Sequence, residues 1–479
     1  MKESLLTLEE TVNSVSGSVF VRPLNSSCGF YFDSVATDSR NVKENSLFVP
    51  LVGEKQDGHI YIHQAVKNGA RVIFAGSLWV KENGEDLAKL AEKDVWVIAV
   101  DNTLKALQEA AGRYVEKFPD LKKVAITGSS GKTTTKEIAV SVFSEKYNVV
   151  YTQGNLNSET GLPLSVFNIR QEHEAGIFEM GMNRKGEMDE IASVLKPQFV
   201  LITNIGTAHI GILGSRENIA VEKKSACNYF DGKGKVFINA DDDFADFLSR
   251  DIKGSAVFYS DKMEGISDIE DLGLCGTSFK LGNTKIRFPL YGKYNFYDAL
   301  GVIALAKDFA FTDEEIKNGI EKVKPLFGRA EVKNAATKDG KKYTLILDCY
   351  NANPDSMSEA INFCSSLKIS GKKYFVLGDM KELGDDSVKE HRMLGKKINS
   401  TDIACAFLFG SEMSSAFSEL QSVQAKYYTD TSDLSLDSAV NFLKDVLSDG
   451  DLLLIKGSRS MCLERLADKL KGLMKKNEQ

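Results

Sequence analysis

The sequence predicts an α/β protein of three consecutive units, with an ATP-binding domain in the middle. Three observations predict it. Short apolar runs alternate with helix-compatible stretches along all 479 residues, the pattern of mostly parallel sheets covered by helices. That length corresponds to about three domains of ~150 residues each. A phosphate-binding loop stands between a strand and a helix at 121–137, LKKVAITGSSGKTTTKE.

In that stretch the apolar run Val124, Ala125, Ile126 leads into Gly128, Ser129, Ser130, Gly131, Lys132, Thr133 and Thr134. Glycines let backbone N–H groups turn toward phosphate oxygens, and a helix N-terminus adds a favourable dipole. Lys132 is placed to reach the β- and γ-phosphates, and the Thr133 hydroxyl to ligate Mg²⁺. Ile126 stands where the longer G-x-x-x-x-G-K-[ST] loop has its first glycine, so this is the shorter T-G-x-x-G-K-T. A Gly/Ser turn with a solvated lysine is the bland alternative. The strand before and the helix after favour ATP.

Composition narrows the partners. The chain is 43% hydrophobic and 27% charged, with net charge −7 and pI about 5.6. Neither nucleic acid nor an anionic membrane suits that balance, so an anionic ligand must be held by local cations and amides. Seven cysteines (28, 227, 275, 349, 364, 405, 462) are scattered without a C-x-x-C pair and read as reduced thiols. The start, MKESLLTLEETV, has no signal-peptide core. No apolar stretch approaches the roughly 20 residues of a membrane span. A cytoplasmic protein without membrane insertion is expected.

Residues 1–105 read as a small α/β domain. A helix is expected over Leu5 to Val15, an extended SLFVPL at 46–51, a helix HQAVKNGA closing on Gly69, and strands RVIFA and VWVIAV around a helical stretch. Between them lies Ala36-Thr-Asp-Ser39-Arg40, which could hold a phosphate or uracil-like ring, or be a capped turn with a solvated arginine. A helix from Thr103 to Phe118 and Pro119 lead into the central domain, 106–328, with strands KVAIT, GIFEMGM, FVLITNI and KVFINA. The stretch 251–292 suggests an antiparallel patch. Residues 329–479 read as a third α/β unit, with strands YTLILDCY, KYFVLGDM, ACAFLFG and DLLLIKG, and KKNEQ as a frayed tail.

Ligands of open α/β sheets sit at strand ends, and four further candidates follow predicted strands or the domain junction. Glu179 in IFEMGMN suits a Mg²⁺ ligand or a water-positioning group. His209 follows the strand FVLITNI; a lone histidine is more often structural than a ligand. Lys223-Lys224 alone reads as a solvated helix face. Arg329 after Gly328 could swing onto phosphates.

TGSSGKTTTKE, GNLNSETGLP, EMGMNRKGE, AHIGILGSRENIAVEK, YGKYNFYDAL, FGRAE, YNANPDSM, LGDMKELG and KGSRSM occur in this order. Together they resemble the Mur ligases of peptidoglycan synthesis, over all three units. YNANPDSM and GDMKELG point to the branch that adds D-alanyl-D-alanine. The resemblance implies a three-domain architecture with a Rossmann-like C-terminal domain. It implies that ATP phosphorylates the free carboxylate of UDP-MurNAc-tripeptide and that the amine of D-Ala-D-Ala attacks the acyl phosphate. Gly128 to Thr134 would hold the triphosphate, Thr133 and Glu179 one Mg²⁺, and His209 with Lys223 a second.

A cationic lysine cannot ligate Mg²⁺. In the family one lysine is N-carboxylated, and its fourteen-residue interval from the histidine falls on Lys223, not Lys224. Asn295 resembles the family's base-contacting residue, Arg329 its phosphate-contacting arginine, Asp348 its ribose-contacting aspartate. Ser39 and Arg40 resemble the UDP-binding turn, and Asn155 and Asn157 the loop facing the muramoyl-peptide. Tyr350, Asn351, Asn353, Lys456, Ser458 and Arg459 would face the nucleotide or the dipeptide. Tyr294 and Asp298 stand where the family commonly has His and Asn. The expected assembly is a monomer acting on small-molecule substrates. The alternatives are another ligase of this fold, folylpolyglutamate-forming or tripeptide-forming, and a nucleotide-sugar sensor without catalysis. Lys132, Thr133, Glu179, His209 and Lys223 occurring together disfavour the sensor.

Overall fold

The computed structural model describes residues 4–25, 29–337 and 340–471. Cys28 and the KKNEQ tail lie outside the described residues. Three α/β layers follow one another along the chain.

The first is a five-stranded sheet in the order Ser18–Val21, Trp96–Val100, Ala70–Gly76, Ser46–Phe48, Ser34–Ala36. Only Ser18–Val21 runs antiparallel. The first helix spans Leu8–Ser14, starting later than Leu5, because Thr7 and Glu10 close a capping box there.

The central sheet has six parallel strands in the order Gly254–Tyr259, Gly234–Asn239, Phe199–Ile202, Lys122–Thr127, Ala175–Glu179, Val149–Tyr151. Lys122–Thr127 lies between two functional neighbours. Ile126 pairs with Glu179 on one side and Leu201 on the other, so the three carboxyl ends deliver Gly128, Met180 and Thr203 to one rim. The antiparallel patch is the three-stranded sheet Ile266–Asp271, Thr277–Leu281, Thr284–Phe288. Gly254–Tyr259 does not join it. It extends the central sheet, pairing residue for residue with Gly234–Asn239.

The C-terminal sheet runs Glu331–Ala336, Lys342–Asp348, Leu452–Lys456, Lys373–Gly378, Cys405–Phe409, Ala425–Tyr428, parallel except for the first strand. Sequence reasoning missed both edge strands, because they are only half-buried and lack an uninterrupted apolar run. The chain's last strand inserts between two earlier ones, which sets Asp348 beside Lys456 at a strand-order reversal where such sheets bind ligands.

One core runs through the first two layers, from Leu6, Phe32, Phe74 and Ile98 to Phe178, Val200 and Ile238, with the helix Thr103–Val115 between them. The C-terminal sheet carries one core on each face, and the second of these takes in Tyr291 of the central layer, stacked on Phe363. Among the described residues no helix is long and apolar enough to cross a membrane.

Candidate functional site

The phosphate loop leaves the strand Lys122–Thr127 and enters the helix Lys132–Phe143. Gly128 sits at φ +152°, and a Cβ there would fall 1.8 Å from Thr203 Oγ1; no other residue fits. Asn204 braces the loop from the next strand end, its carbonyl accepting from Ser129 N (2.9 Å) and its side chain from Ser130 N (3.0 Å). The first amide of the helix to bond back is Thr135 N, to Gly131 O at 2.8 Å. The N–H groups of Lys132, Thr133 and Thr134 precede it and point outward, as anion binding at a helix start requires.

These groups face a cavity of about 820 Å³, within the size range of small-molecule sites. Its walls come from two sheets. The central layer contributes Ser129 to Thr134, Asn155, Asn157, Glu179, His209 and Asn295; the C-terminal side contributes Arg329, Asp348, Tyr350, Asn351, Asn353, Lys456 and Arg459. Thus most of the site residues expected from the sequence converge on one space.

Glu179 is buried at the end of its strand. Asn157 Nδ2 donates to its Oε1 at 2.6 Å, while Oε2 has no partner. A sealed carboxylate oxygen left open is costly unless something cationic meets it. Lys132 Nζ curls over the loop to the Gly128 carbonyl (2.8 Å). Burial lowers the pKa of its amine, with Glu179 opposing the shift. The Arg329 guanidinium carbon sits over the Tyr350 ring, 4.2 Å from its centre, and among the described residues no carboxylate pairs with it. The fit to Mg²⁺ follows. Among the described residues no three His, Cys, Asp or Glu side chains converge. Mg²⁺ needs no such cage, since it takes one or two carboxylates together with substrate phosphates. Glu179 and the Thr133 hydroxyl offer that minimum.

Lys223 does not line the cavity. It lies behind it, 1% exposed, on the helix Arg216–Lys224. Burial first, then the charge of Lys132, push its amine well below the usual lysine range. Among the described residues no side chain makes a hydrogen bond or ion pair with that amine. Its helix is pinned by the neighbouring Glu222, whose carboxylate accepts from Gly186 N and Met188 N, both at 2.9 Å. Lys224, by contrast, is partly exposed and donates to the Phe247 carbonyl (2.9 Å). The reading of Lys223-Lys224 as a solvated pair therefore holds for neither in the same way.

Other expected residues have different settings. Ser39 and Arg40 stand in the first layer, away from this cavity. Arg40 forks onto Asp38 (Nη2–Oδ2 2.6 Å), whose carboxyl is held at about 2 by that contact. Ser458 is buried and braces Lys381 N (2.9 Å). Lys456 Nζ is 2.5 Å from Asp348 Oδ2. Asn295 Nδ2 is committed to the Tyr291 carbonyl (2.8 Å), and Arg459 pairs with Glu464. Asn353 caps the helix Pro354–Ser366 while its Nδ2 reaches Ser130 Oγ (3.2 Å).

Three cavity residues carry weight that sequence reasoning did not assign. Asp355 Oδ2 accepts from Thr207 N (2.7 Å) and Thr207 Oγ1 (2.8 Å). Glu382 Oε2 stands 2.8 Å from His209 Nδ1. Asp298 is buried with Oδ2 unpartnered, and burial pushes its carboxyl well above the usual range. The signal was present for the first two, since they sit inside YNANPDSM and GDMKELG.

Comparison with known proteins gives the same outline. Residues 126–306 match the Mur ligase middle domain, residues 328–459 the Mur ligase glutamate ligase domain, and residues 32–115 the Mur ligase family catalytic domain. The chain is 42% identical over 463 residues to the UDP-N-acetylmuramoyl-tripeptide–D-alanyl-D-alanine ligase of Treponema pallidum, covering 96% of this chain and 98% of that one. It is 34% identical over 445 residues to the Bacillus subtilis protein of that name, covering 91% and 92%. Among solved structures, MurF from Acinetobacter baumannii superposes with a TM-score of 0.84 at 26% identity, covering 97% and 98%. MurF ligase from Thermotoga maritima, solved in complex with ADP, gives 0.76 at 25% identity, covering 92% and 97%. The chain belongs to the Mur ligase family.

Proposed function

We propose that this chain is an ATP-dependent ligase that joins D-alanyl-D-alanine to UDP-N-acetylmuramoyl-tripeptide in peptidoglycan precursor synthesis. The observation that carries it is a cavity between two sheets, in which meet a phosphate loop, an orphaned carboxylate and Arg329, which has no carboxylate partner among the described residues. The relatives' names supply the substrate pair. The enzyme works as a cytoplasmic monomer on small molecules, with no role for nucleic acid.

The loop amides and Lys132 grip the ATP phosphates and aim the γ-phosphoryl group at the peptide carboxylate. Arg329, seated over Tyr350, takes up charge as that group moves. The acyl phosphate then accepts the dipeptide amine, and the tetrahedral intermediate collapses to amide and phosphate. Asn155 and Asn157 face the muramoyl-peptide, Ser39 and Arg40 the UDP. Asn295, Asp348 and Tyr350 face the nucleoside of ATP; Asn351, Asn353, Lys456, Ser458 and Arg459 complete the C-terminal wall. Thr133 and Glu179 would hold one Mg²⁺, His209 and an N-carboxylated Lys223 a second. When bound, these ions neutralise oxygens that at 4 Å otherwise repel by about 4 kcal/mol at an effective dielectric of 20.

The carbamate is supported by burial. An ammonium sealed near Lys132, with the charge of Glu222 opposing only part of that penalty and no direct ion pair among the described residues, is unfavourable. The neutral amine, which burial favours, adds to CO₂: an N–C bond forms as one C=O π bond opens, one proton leaves the nitrogen, and the product carboxylate is an oxygen donor. The domains divide near residue 105, in the first turn of Thr103–Val115, and near 328, where the C-terminal unit swings. The test is phosphate release from ATP with UDP-MurNAc-tripeptide and a panel of amines. D-Ala-D-Ala should be required. Equal release with a single amino acid, or without any amine, would defeat the assignment.

A further inference from the structure

The central and C-terminal layers meet at a contact that the proposed chemistry does not use. Glu382, on the loop after the strand Lys373–Gly378, brings Oε2 within 2.8 Å of His209 Nδ1. His209 Nδ1 is buried and makes no hydrogen bond among the described residues, so this carboxylate is the acidic group that stands beside it. Both residues are backbone outliers. His209 has φ +64° and Glu382 φ +66°, a left-handed conformation that side-chain-bearing residues avoid and that clusters at functional sites. The backbones also lock: Gly211 N donates to Glu382 O at 3.2 Å. A Cβ on Gly211 would fall 2.3 Å from Gly384 N, so the loops touch without room for a methyl group.

We propose that Glu382 is a positioning residue for His209, supplied by the C-terminal layer. A histidine that ligates a metal through one ring nitrogen is usually oriented by a carboxylate at the other. Here the carboxylate occupies the Nδ1 side, leaving Nε2 to serve as ligand. The orienting group belongs to a different layer from the ligand it orients. The histidine is therefore aligned only when the C-terminal layer is seated, which ties the second metal position to closure. This inference rests on the reading of His209 as a metal ligand, and the test separates the two.

The probe is Mn²⁺ with a non-hydrolysable ATP analogue on the full-length protein, its affinity read by electron paramagnetic resonance. In Glu382→Gln the weaker-bound ion should loosen about tenfold, and kcat should fall by a similar factor with the KM for ATP little changed. Gly211→Ala, which parts the loops and leaves the carboxylate intact, should give the same loosening. His209→Ala serves as reference. If His209→Ala loosens an ion while both other variants bind Mn²⁺ like the wild type, the role of Glu382 is overturned and the histidine assignment stands. If none of the three alters Mn²⁺ binding, both fall. A drop in kcat without loss of Mn²⁺ affinity would likewise overturn the proposal.

Discussion

The two walls of the cavity are built differently. On the central wall the phosphate loop and Glu179 are held by their own layer: the loop by Thr203 and Asn204, and Glu179 by Asn157 and Thr152. On the C-terminal wall several groups touch the chemistry only through contacts that cross between layers. These are Asn353 with Ser130, Asp355 with Thr207, and Glu382 with His209. The first wall is held within one layer, and the second depends on contacts between layers. Changes to the phosphate loop, Glu179 or Arg329 should act on phosphate and metal directly, whereas changes to Asn353, Asp355 or Glu382 should act through the contact between layers.

The largest effect tests the central side. Lys223→Ala should lower turnover on the order of 10³-fold with the fold intact, and acetate or formate entering the vacated space should restore part of it. Lys224→Ala should behave as wild type. Phosphate release for both variants, with and without acid, decides; full activity in Lys223→Ala ends the carbamate assignment. Arg329→Ala comes next. Its guanidinium matters when phosphoryl charge moves, so kcat should drop roughly 10²-fold with ATP affinity changed far less. A parallel loss of both would make Arg329 a ground-state binder.

Asp355→Ala removes two hydrogen bonds to Thr207 that only the docked arrangement makes. A loss of about tenfold in kcat is expected, with ATP binding by the open protein unaltered. If ATP binding weakened equally, the distinction between the walls would collapse. The smallest effect concerns Asp298. Its folded pKa is raised by burial, so the native state holds the proton more tightly than the unfolded chain. Stability is then greatest below the ordinary carboxylate value and declines as pH rises toward the folded one. Asp298→Asn has no such decline. The variant's Tm should exceed the wild type's by about 2–4 °C, the gap widening from pH 5 upward. A gap independent of pH would show that Asp298 does not titrate there.

This contrast also explains what could be read from the sequence. The phosphate loop, Glu179 and His209 follow apolar strands at short range, so local pattern places them. The four inner strands of the central sheet and the four inner strands of the C-terminal one were legible for the same reason; the edge strands of both, Val149–Tyr151, Gly254–Tyr259, Glu331–Ala336 and Ala425–Tyr428, were not. Asp355 and Glu382 were invisible as individuals because their partners lie far away in the chain and only docking joins them. Lys223 was singled out by interval, yet its burial beside the charge of Lys132 required the fold. Ser39 and Arg40 were legible as a turn, but the turn stands apart from the central cavity.

The core shared by the first two layers has a consequence for how the molecule comes apart. Leu6 and Phe178 belong to one packed cluster, and the helix Thr103–Val115 lies between their sheets. Removing either sheet strips apolar surface from the other, so the two should melt as one cooperative block. The C-terminal sheet, whose cores share with the central layer only Tyr291 among their buried members, is free to form a second block. Calorimetry should then resolve two transitions from a molecule with three α/β layers, and proteases should first cut near residue 328 rather than near 105.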